Sequence, residues 1–203
     1  VIGEMKENLI KRTFKAGVVV LQGDVLAHLS SLGGQKDFTI TSPGIETTIR
    51  SKKFRTTRDM KKVTRIANYD GEIDVEASKV KVTIQKDEGT KVEYGKKPES
   101  PRKLLPPPVM LSPLANQIFF TSTIRFEWEK LEVARFYKLE ISAKRDFSTV
   151  LNRVQLNKTS YEWQAPSKGV YYYRMYTIDE DNFSGPFSDP VDFYVDIDES
   201  PPY

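Results

Sequence analysis

The 203-residue chain has no cysteine and a single histidine, His28. Without thiols there is no disulfide, no thiolate nucleophile and no Cys-based zinc site. With one imidazole, a Ser-His-Asp constellation must be built on His28, with Ser30 or Ser31 beside it. No nucleophile elbow or oxyanion signature surrounds that histidine, which sits in an alternating strand pattern. No apolar run approaches the roughly 18 residues of a membrane-spanning helix, and no stretch keeps a helical period over two turns. A signal-peptide pattern is also missing. The strand pattern is already under way at Val1, so the chain is expected to be a fragment with more sequence upstream. These absences point to an all-β chain that is not an enzyme and takes no cofactor or metal.

Hydrophobic residues make up 38% and aromatics 11%, enough for two small cores in a chain of this length. Charge divides the same way. Residues 1–95 hold 17 Lys/Arg against 13 Asp/Glu (+4), residues 96–108 hold four against one (+3), and residues 109–203 hold ten against fourteen (−4). A basic front and an acidic back are expected to be separate units, and the overall balance of +3 is too small to point to nucleic acid. Between them, five of the thirteen residues 96–108 are proline. That composition blocks helix and sheet and predicts a semi-rigid extended linker. The expected division is therefore a β-domain over 1–95, a linker over 96–108, a β-sandwich over 109–196 and a tail over 197–203.

In the first half, apolar and alternating runs at 18–21, 25–29, 38–41, 63–68, 72–76, 79–85 and 90–94 are separated by turn residues. Gly33-Gly34 marks one turn. Tyr69-Asp70-Gly71 and Lys86-Asp87-Glu88-Gly89 read as hairpin turns, because glycine tolerates positive φ. The order of Leu21-Gln22-Gly23-Asp24-Val25, Phe38-Thr39-Ile40-Thr41-Ser42-Pro43, Thr48-Ile49-Arg50-Ser51-Lys52-Lys53-Phe54 and Asp70-Gly71-Glu72-Ile73-Asp74-Val75 resembles the FecR domain, a bacterial periplasmic module. The resemblance covers residues 17–95, the later part of such a domain, and implies short strands in a solenoid-like arrangement. One departure stands out: Ser51-Lys52 replace the family's Gly-Thr. Ile49 and Phe54, five residues apart, share a face only if a residue bulges out between them.

In the second half, Ile124, Phe126 and Trp128 alternate with Arg125, Glu127 and Glu129. Strands follow over 136–143, 149–155, 159–163, 169–179 and 187–195. On the longest, Tyr171, Tyr173 and Met175 take one face and Tyr172, Arg174 and Tyr176 the other. Seven or so short strands in this length read as an immunoglobulin-like β-sandwich. Phe126-Glu127-Trp128, Ala134, Tyr137-Lys138-Leu139-Glu140-Ile141, Gly169-Val170-Tyr171-Tyr172-Tyr173-Arg174-Met175 and Ser184-Gly185 resemble fibronectin type III modules of bacterial envelope proteins. By that resemblance Tyr171 is the corner tyrosine, its hydroxyl bonded to backbone.

Two surfaces are candidates for partner binding. Arg50, Lys52, Lys53, Arg55, Arg58, Lys61, Lys62 and Arg65 put eight cations in sixteen residues against Asp59 alone. They fit either a sheet edge kept soluble or a surface for an anionic partner. Tyr172, Arg174 and Tyr176, with Lys138 and Glu140 beside them, are residue types that interfaces favour. Asp179-Glu180-Asp181-Asn182 invites a calcium reading, but Ser184 and Pro190 stand where an EF-hand loop needs glycine and glutamate. Glu127 and Glu129, within carboxylate-pair reach, straddle a core tryptophan and read as a solvated face.

Together these features predict a non-catalytic bacterial envelope binding or scaffold protein, periplasmic or at the cell surface. Its partner would be peptidoglycan, another anionic polymer, an envelope protein or a second copy of itself. The alternative is the periplasmic part of a FecR-type transmembrane regulator of a sigma factor.

Overall fold

The computed structural model describes residues 3–8, 13–29 and 37–197. The chain divides into two compact units, Val1–Leu104 and Leu105–Tyr203, and no helix occurs among the described residues. The expected turn at Gly33-Gly34, the serines beside His28, and all of the tail but Ile197 lie outside them.

Unit 1 holds eleven strands: β1 (Gly3–Asn8), β2 (Thr13–Val19), β3 (Gly23–His28), β4 (Asp37–Thr41), β5 (Glu46–Arg50), β6 (Lys53–Arg58), β7 (Val63–Asn68), β8 (Glu72–Ala77), β9 (Val80–Ile84), β10 (Glu88–Glu93) and β11 (Arg102–Lys103). They form a six-stranded sheet, β1-β2-β4-β5-β8-β9, and a five-stranded sheet, β11-β10-β7-β6-β3. From β4 onward the chain lays two strands in one sheet and the next two in the other. It coils between the sheets as expected of a solenoid-like domain. Ile40, Ile49, Ile73, Val75 and Ile84 from the first sheet meet Phe54, Ile66 and Val92 from the second in one core.

This winding gives the unit two unlike ends. At one, hairpin turns join strands of the same sheet: residues 42–45, 59–62, 78–79 and 94–97. At the other, the chain switches sheets at residues 51–52, 69–71 and 85–87. Two sequence expectations change here. Tyr69-Asp70-Gly71 and Lys86-Asp87-Glu88-Gly89 are sheet switches, not hairpins. The tight two-residue hairpin is instead Ser78-Lys79, both at positive φ (50° and 63°). That is the conformation a right-twisted hairpin needs, and it is reached here without glycine. Gly71 is required for a different reason, because a Cβ there would lie 2.4 Å from the Arg50 carbonyl oxygen. The expected bulge between Ile49 and Phe54 is likewise a sheet switch. The two side chains share the core because they enter it from opposite sheets.

A sheet switch removes backbone groups from the ladder, and each must find another partner. At the switch end the corners bond one another: Leu29 N to Lys52 O (2.7 Å), Tyr69 N to Lys53 O (2.9 Å), Asp87 N to Asn68 O (2.9 Å) and Leu104 N to Asp87 O (2.9 Å). Asn68, fully buried, ties two switches through its side chain. Its Nδ2 donates to Gly71 O (2.9 Å) and Ile84 O (3.3 Å).

The proline-rich segment is not a free spacer. Glu99 N donates to Lys91 O and the Thr90 hydroxyl to Glu99 O, after which Arg102 and Lys103 pair with β10. Its prolines fall where no ladder N–H is needed. Beyond the boundary, Thr177 Oγ1 donates to Pro106 O at 2.6 Å within unit 2.

Unit 2 packs a three-stranded sheet, β12 (Met110–Ser112), β14 (Thr123–Trp128) and β17 (Ser160–Gln164), on a five-stranded one. The latter contains β13 (Gln117–Phe119), β19 (Val191–Val195), β18 (Gly169–Asp179), β15 (Ala134–Ser142) and β16 (Val150–Leu156). This is the immunoglobulin-like sandwich that the alternation predicted. Ile124, Phe126, Trp128, Tyr137, Leu139, Ile141, Tyr171, Tyr173 and Met175 all lie in its core, and Phe193 has Phe126, Trp163, Tyr171 and Tyr173 around it at 5.7–6.2 Å. The Tyr171 hydroxyl donates to Ser167 O at 2.7 Å, making the tyrosine corner. The last strand is shorter than expected, because in the stretch around Pro186 and Pro190 only Ser184, Gly185 and Ser188 bond to β18 and the regular ladder begins at Val191.

Asn68→Ala strands the carbonyls of Gly71 and Ile84 in the switch end, at ~1–3 kcal/mol each. Chemical unfolding followed by circular dichroism should show unit 1 destabilised by about 2–4 kcal/mol. Both tryptophans lie in unit 2, so fluorescence supplies the reference transition. An unchanged dichroism curve would remove Asn68 from its structural role.

Candidate functional site

Strand alternation and sheet switching disperse the eight cations of residues 50–65. Arg50, on the outer face of the six-stranded sheet, pairs with Glu72 (2.5 Å) and Asp74 (3.0 Å). Arg55, on the outer face of the other sheet, is buried at 6% exposure beside Asp24, 3.3 Å away. Arg65 pairs with Asp59 at 2.9 Å. Lys52 and Lys53 lie at the switch end. Arg58, Lys61 and Lys62 are at the hairpin end, where Arg58 is turned inward to Ser42 and Thr64. One continuous basic face therefore does not form, since Arg50, Arg55 and Arg65 are matched by acids.

The hairpin end gathers other cations that the sequence keeps apart. The turn at residues 59–62 is closed by Asp59, whose Oδ1 accepts from Val63 N at 3.0 Å, and holds Lys62 at φ 62°. The Ser78-Lys79 turn is tied to the next one by a hydrogen bond from Ser78 Oγ to Gly95 O (3.2 Å). Between them stands Tyr94, 59% exposed, with Lys62 Nζ 5.4 Å and Arg58 Cζ 5.9 Å from its ring centroid. Lys61, Lys62, Lys79, Lys96 and Lys97 are all exposed here, and none is in an ion pair among the described residues. Of the acids at this end, Asp59 is taken by Arg65, Glu46 and Glu76 line the cleft beside Lys79, and Glu93 is exposed. A cleft of about 390 Å³, lined by Ser42, Ile45, Glu46, Glu76, Ser78 and Lys79 among others, opens at the same end. Sequence reasoning missed Tyr94, Lys79, Lys96 and Lys97 because the last two read as linker and the Ser-Lys turn carries no turn signature.

On the five-stranded sheet of unit 2 the second candidate surface is largely covered. Tyr176 is 3% exposed, with Phe187 packed edge-on to it at 4.7 Å. The expectation that it faces a partner is corrected by the loop at 184–190, which lies over it. Arg174 is clamped between Phe147 and Phe187, its Cζ 4.1 and 3.9 Å from the two ring centroids. It also donates from Nε and Nη2 to Glu140 Oε2 at 2.9 and 2.7 Å. Arg153 takes the other oxygen of that buried carboxylate at 2.5 Å. Phe147 adopts φ 58° to reach this position. Tyr172 and the Arg174 side chain stay partly open. Further along the same face, Val170, Tyr194 and Ile118 stand in one cross-strand row and are 38–55% exposed. Asp179 is a turn residue, its Oδ1 accepting from Phe183 N at 2.8 Å. Glu127 pairs with Arg125 at 2.7 Å, and His28 is an exposed strand residue opposite Lys53.

The Asp74 carboxyl sits at the centre of the ion pairs on the outer face of unit 1. Burial pushes its pKa up, but hydrogen bonds from Lys81, Thr83 and Arg50 outweigh that and hold it at about 2, below the usual 3.8. A carboxyl depressed in the folded state stabilises the fold above its unfolded pKa and loses that contribution as the acid protonates. Stability of unit 1 should fall between about pH 4 and pH 2. Asp74→Asn should flatten that part of the pH profile, measured as denaturation midpoints at pH 5, 3 and 2. Identical slopes for the two proteins would exclude Asp74 as the source.

No protein-family model and no curated protein matches the chain. Among solved structures it is similar to two of a protein assigned as an anti-sigma factor from Parabacteroides distasonis. Both are 10% identical and cover 46% of this chain, with TM-scores of 0.36 and 0.35. The matches span 42% and 41% of those chains, about two fifths of their length. It is also similar to the fibronectin(III)-like modules of Clostridium thermocellum CbhA, at 15% identity and a TM-score of 0.33, over 43% of this chain and 92% of that one.

Proposed function

We propose that the chain is a non-catalytic binding or scaffold protein of the bacterial envelope whose hairpin end in unit 1 holds an anionic polymer of the cell wall. The observation that carries this reading is the set of five exposed lysines, Lys61, Lys62, Lys79, Lys96 and Lys97, on three neighbouring turns around an exposed tyrosine. Elsewhere in unit 1 Arg50, Arg55, Arg65, Lys81, Lys91 and Lys103 are matched by acids. Like charges held together repel one another, and an anionic partner relieves that repulsion. The envelope setting, periplasmic or at the cell surface, is supported by the FecR-like and fibronectin-like segments of the sequence. The absence of cysteine and of a second histidine supports a role without catalysis.

Exposed ion pairs are weak singly, about 0.5 kcal/mol each. Four together give about 2 kcal/mol, or roughly thirtyfold in affinity. On isolated cell-wall sacculi at low salt, the wild-type protein should be retained about thirtyfold better than the Lys61→Gln/Lys62→Gln/Lys96→Gln/Lys97→Gln variant. The difference should shrink at physiological ionic strength, where screening acts over ~8 Å. A switch-end control, Lys52→Gln/Lys53→Gln, should behave as wild type. Equal retention of all three proteins defeats the hairpin-end assignment. If none is retained, the wall-binding reading falls. The FecR-like segments then favour the regulator reading, in which the partner is a protein.

A further inference from the structure

Arg58 ends β6 inside the hairpin end of unit 1 and is 5% exposed, yet no carboxylate pairs with it among the described residues. A guanidinium withdrawn from water without a counter-charge is costly unless other acceptors meet its N–H groups. Nη1 donates to Ser42 Oγ at 3.3 Å and to Thr64 Oγ1 at 2.9 Å. The Ser42 hydroxyl sends its own hydrogen to Val20 O at 2.9 Å. Asp59, the acid of the adjoining turn, is occupied by Arg65 at 2.9 Å and by Val63 N at 3.0 Å. The N–H groups on Nε and Nη2 have no partner among the described residues, and neither nitrogen is both sealed from solvent and unbonded. The exposed Tyr94 ring is approached by both cations, Arg58 Cζ at 5.9 Å and Lys62 Nζ at 5.4 Å from its centroid.

We infer that Arg58, Lys62 and Tyr94 form a subsite that grips a single oxyanion, a carboxylate or a phosphate, carried on a group that lies against the Tyr94 ring. The inference rests on the reading of the hairpin end as an anion-binding surface and names the residues that hold the charged group. The Nε–Nη2 edge of a guanidinium presents two parallel N–H donors, which match two oxygens of a carboxylate or phosphate. The Ser42 and Thr64 hydroxyls fix that edge before any ligand arrives, so little side-chain freedom is lost on binding. Lys62, held by its left-handed backbone, adds a compact positive charge at the same mouth. A purely structural plug uses only the Nη1 hydrogens that bridge Ser42 and Thr64. It gives no reason for an unpaired fork, a second cation and an exposed ring to converge.

The test is a titration of the full ¹⁵N-labelled chain with acetate and, separately, inorganic phosphate at constant ionic strength. It follows the Arg58 Nε–H resonance and the Lys62 and Tyr94 amides, with the Lys52 amide as reference. The expected result is saturable shifts at Arg58, Lys62 and Tyr94 with one common affinity and no saturable shift at Lys52. The tighter of the two probes identifies the oxyanion. Lys62→Gln should weaken binding roughly fivefold, and Arg58→Lys, which keeps the charge but loses the fork, roughly tenfold. Lys62 is exposed in a turn, so its variant keeps the test valid if Arg58→Lys fails to fold. Shifts that do not saturate, that appear equally at Lys52, or that keep the wild-type affinity in Lys62→Gln overturn the subsite and leave Arg58 a plug. Sacculus retention without small-anion binding overturns this inference alone. Small-anion binding without sacculus retention overturns the wall-polymer reading alone.

Discussion

Unit 1 depends on what happens when a strand leaves its sheet. Each switch takes backbone donors and acceptors out of a ladder and buries them at a corner, where an unmet group costs as much as a lost hydrogen bond. Asn68 resolves two switches at once, because an amide side chain can donate twice while its own backbone carbonyl accepts from Asp87. Few side chains fit: an aspartate has no donors, and a glutamine adds a methylene to a corner already packed to contact. The coil between sheets, the shared core of isoleucines and Phe54, and the separation of a switch end from a hairpin end all follow once these corners are closed.

That separation explains how charge is distributed. Neighbouring residues in a strand point to opposite faces, and a switch reverses which face is outward. Eight cations in sixteen residues therefore reach both outer faces, both ends and the interior. Arg50 meets Glu72 and Asp74, whereas Arg58 meets hydroxyls. Cations far apart in sequence, Lys61, Lys79 and Lys96, come to neighbouring turns because every hairpin of the coil turns back at the same end. Proximity along the chain and proximity in space are nearly opposed in this unit.

The sequence was informative where a local rule decides the outcome. In unit 2, alternation of Ile124, Phe126 and Trp128, and of Tyr171, Tyr173 and Met175, assigned the core face correctly, and the corner tyrosine found its carbonyl. In unit 1 the strands from 63 to 93 and those at 23–28 and 37–41 were legible, but Glu46–Arg50 and Lys53–Arg58, rich in charge and threonine, were not, and neither was the pairing. Asp70-Gly71 satisfies a steric demand at a sheet switch, while the tight hairpin is made by Ser78-Lys79, whose conformation no composition rule foretells. The burial of Tyr176 and the clamping of Arg174 were hidden for another reason. They depend on Phe147 and Phe187 arriving from loops, and loop placement is set by long-range packing that no local pattern carries.

The coil has a consequence for how such a domain can change length. Its successive hairpins begin at Lys53, Glu72 and Glu88, each returning the chain to the same end before the next switch. Loss or gain of one residue within a strand inverts its faces and breaks the core. A whole hairpin with its switch can be added or removed while the corner ladder simply lengthens or shortens by one rung. Size variation in such a domain is thus quantised in hairpins.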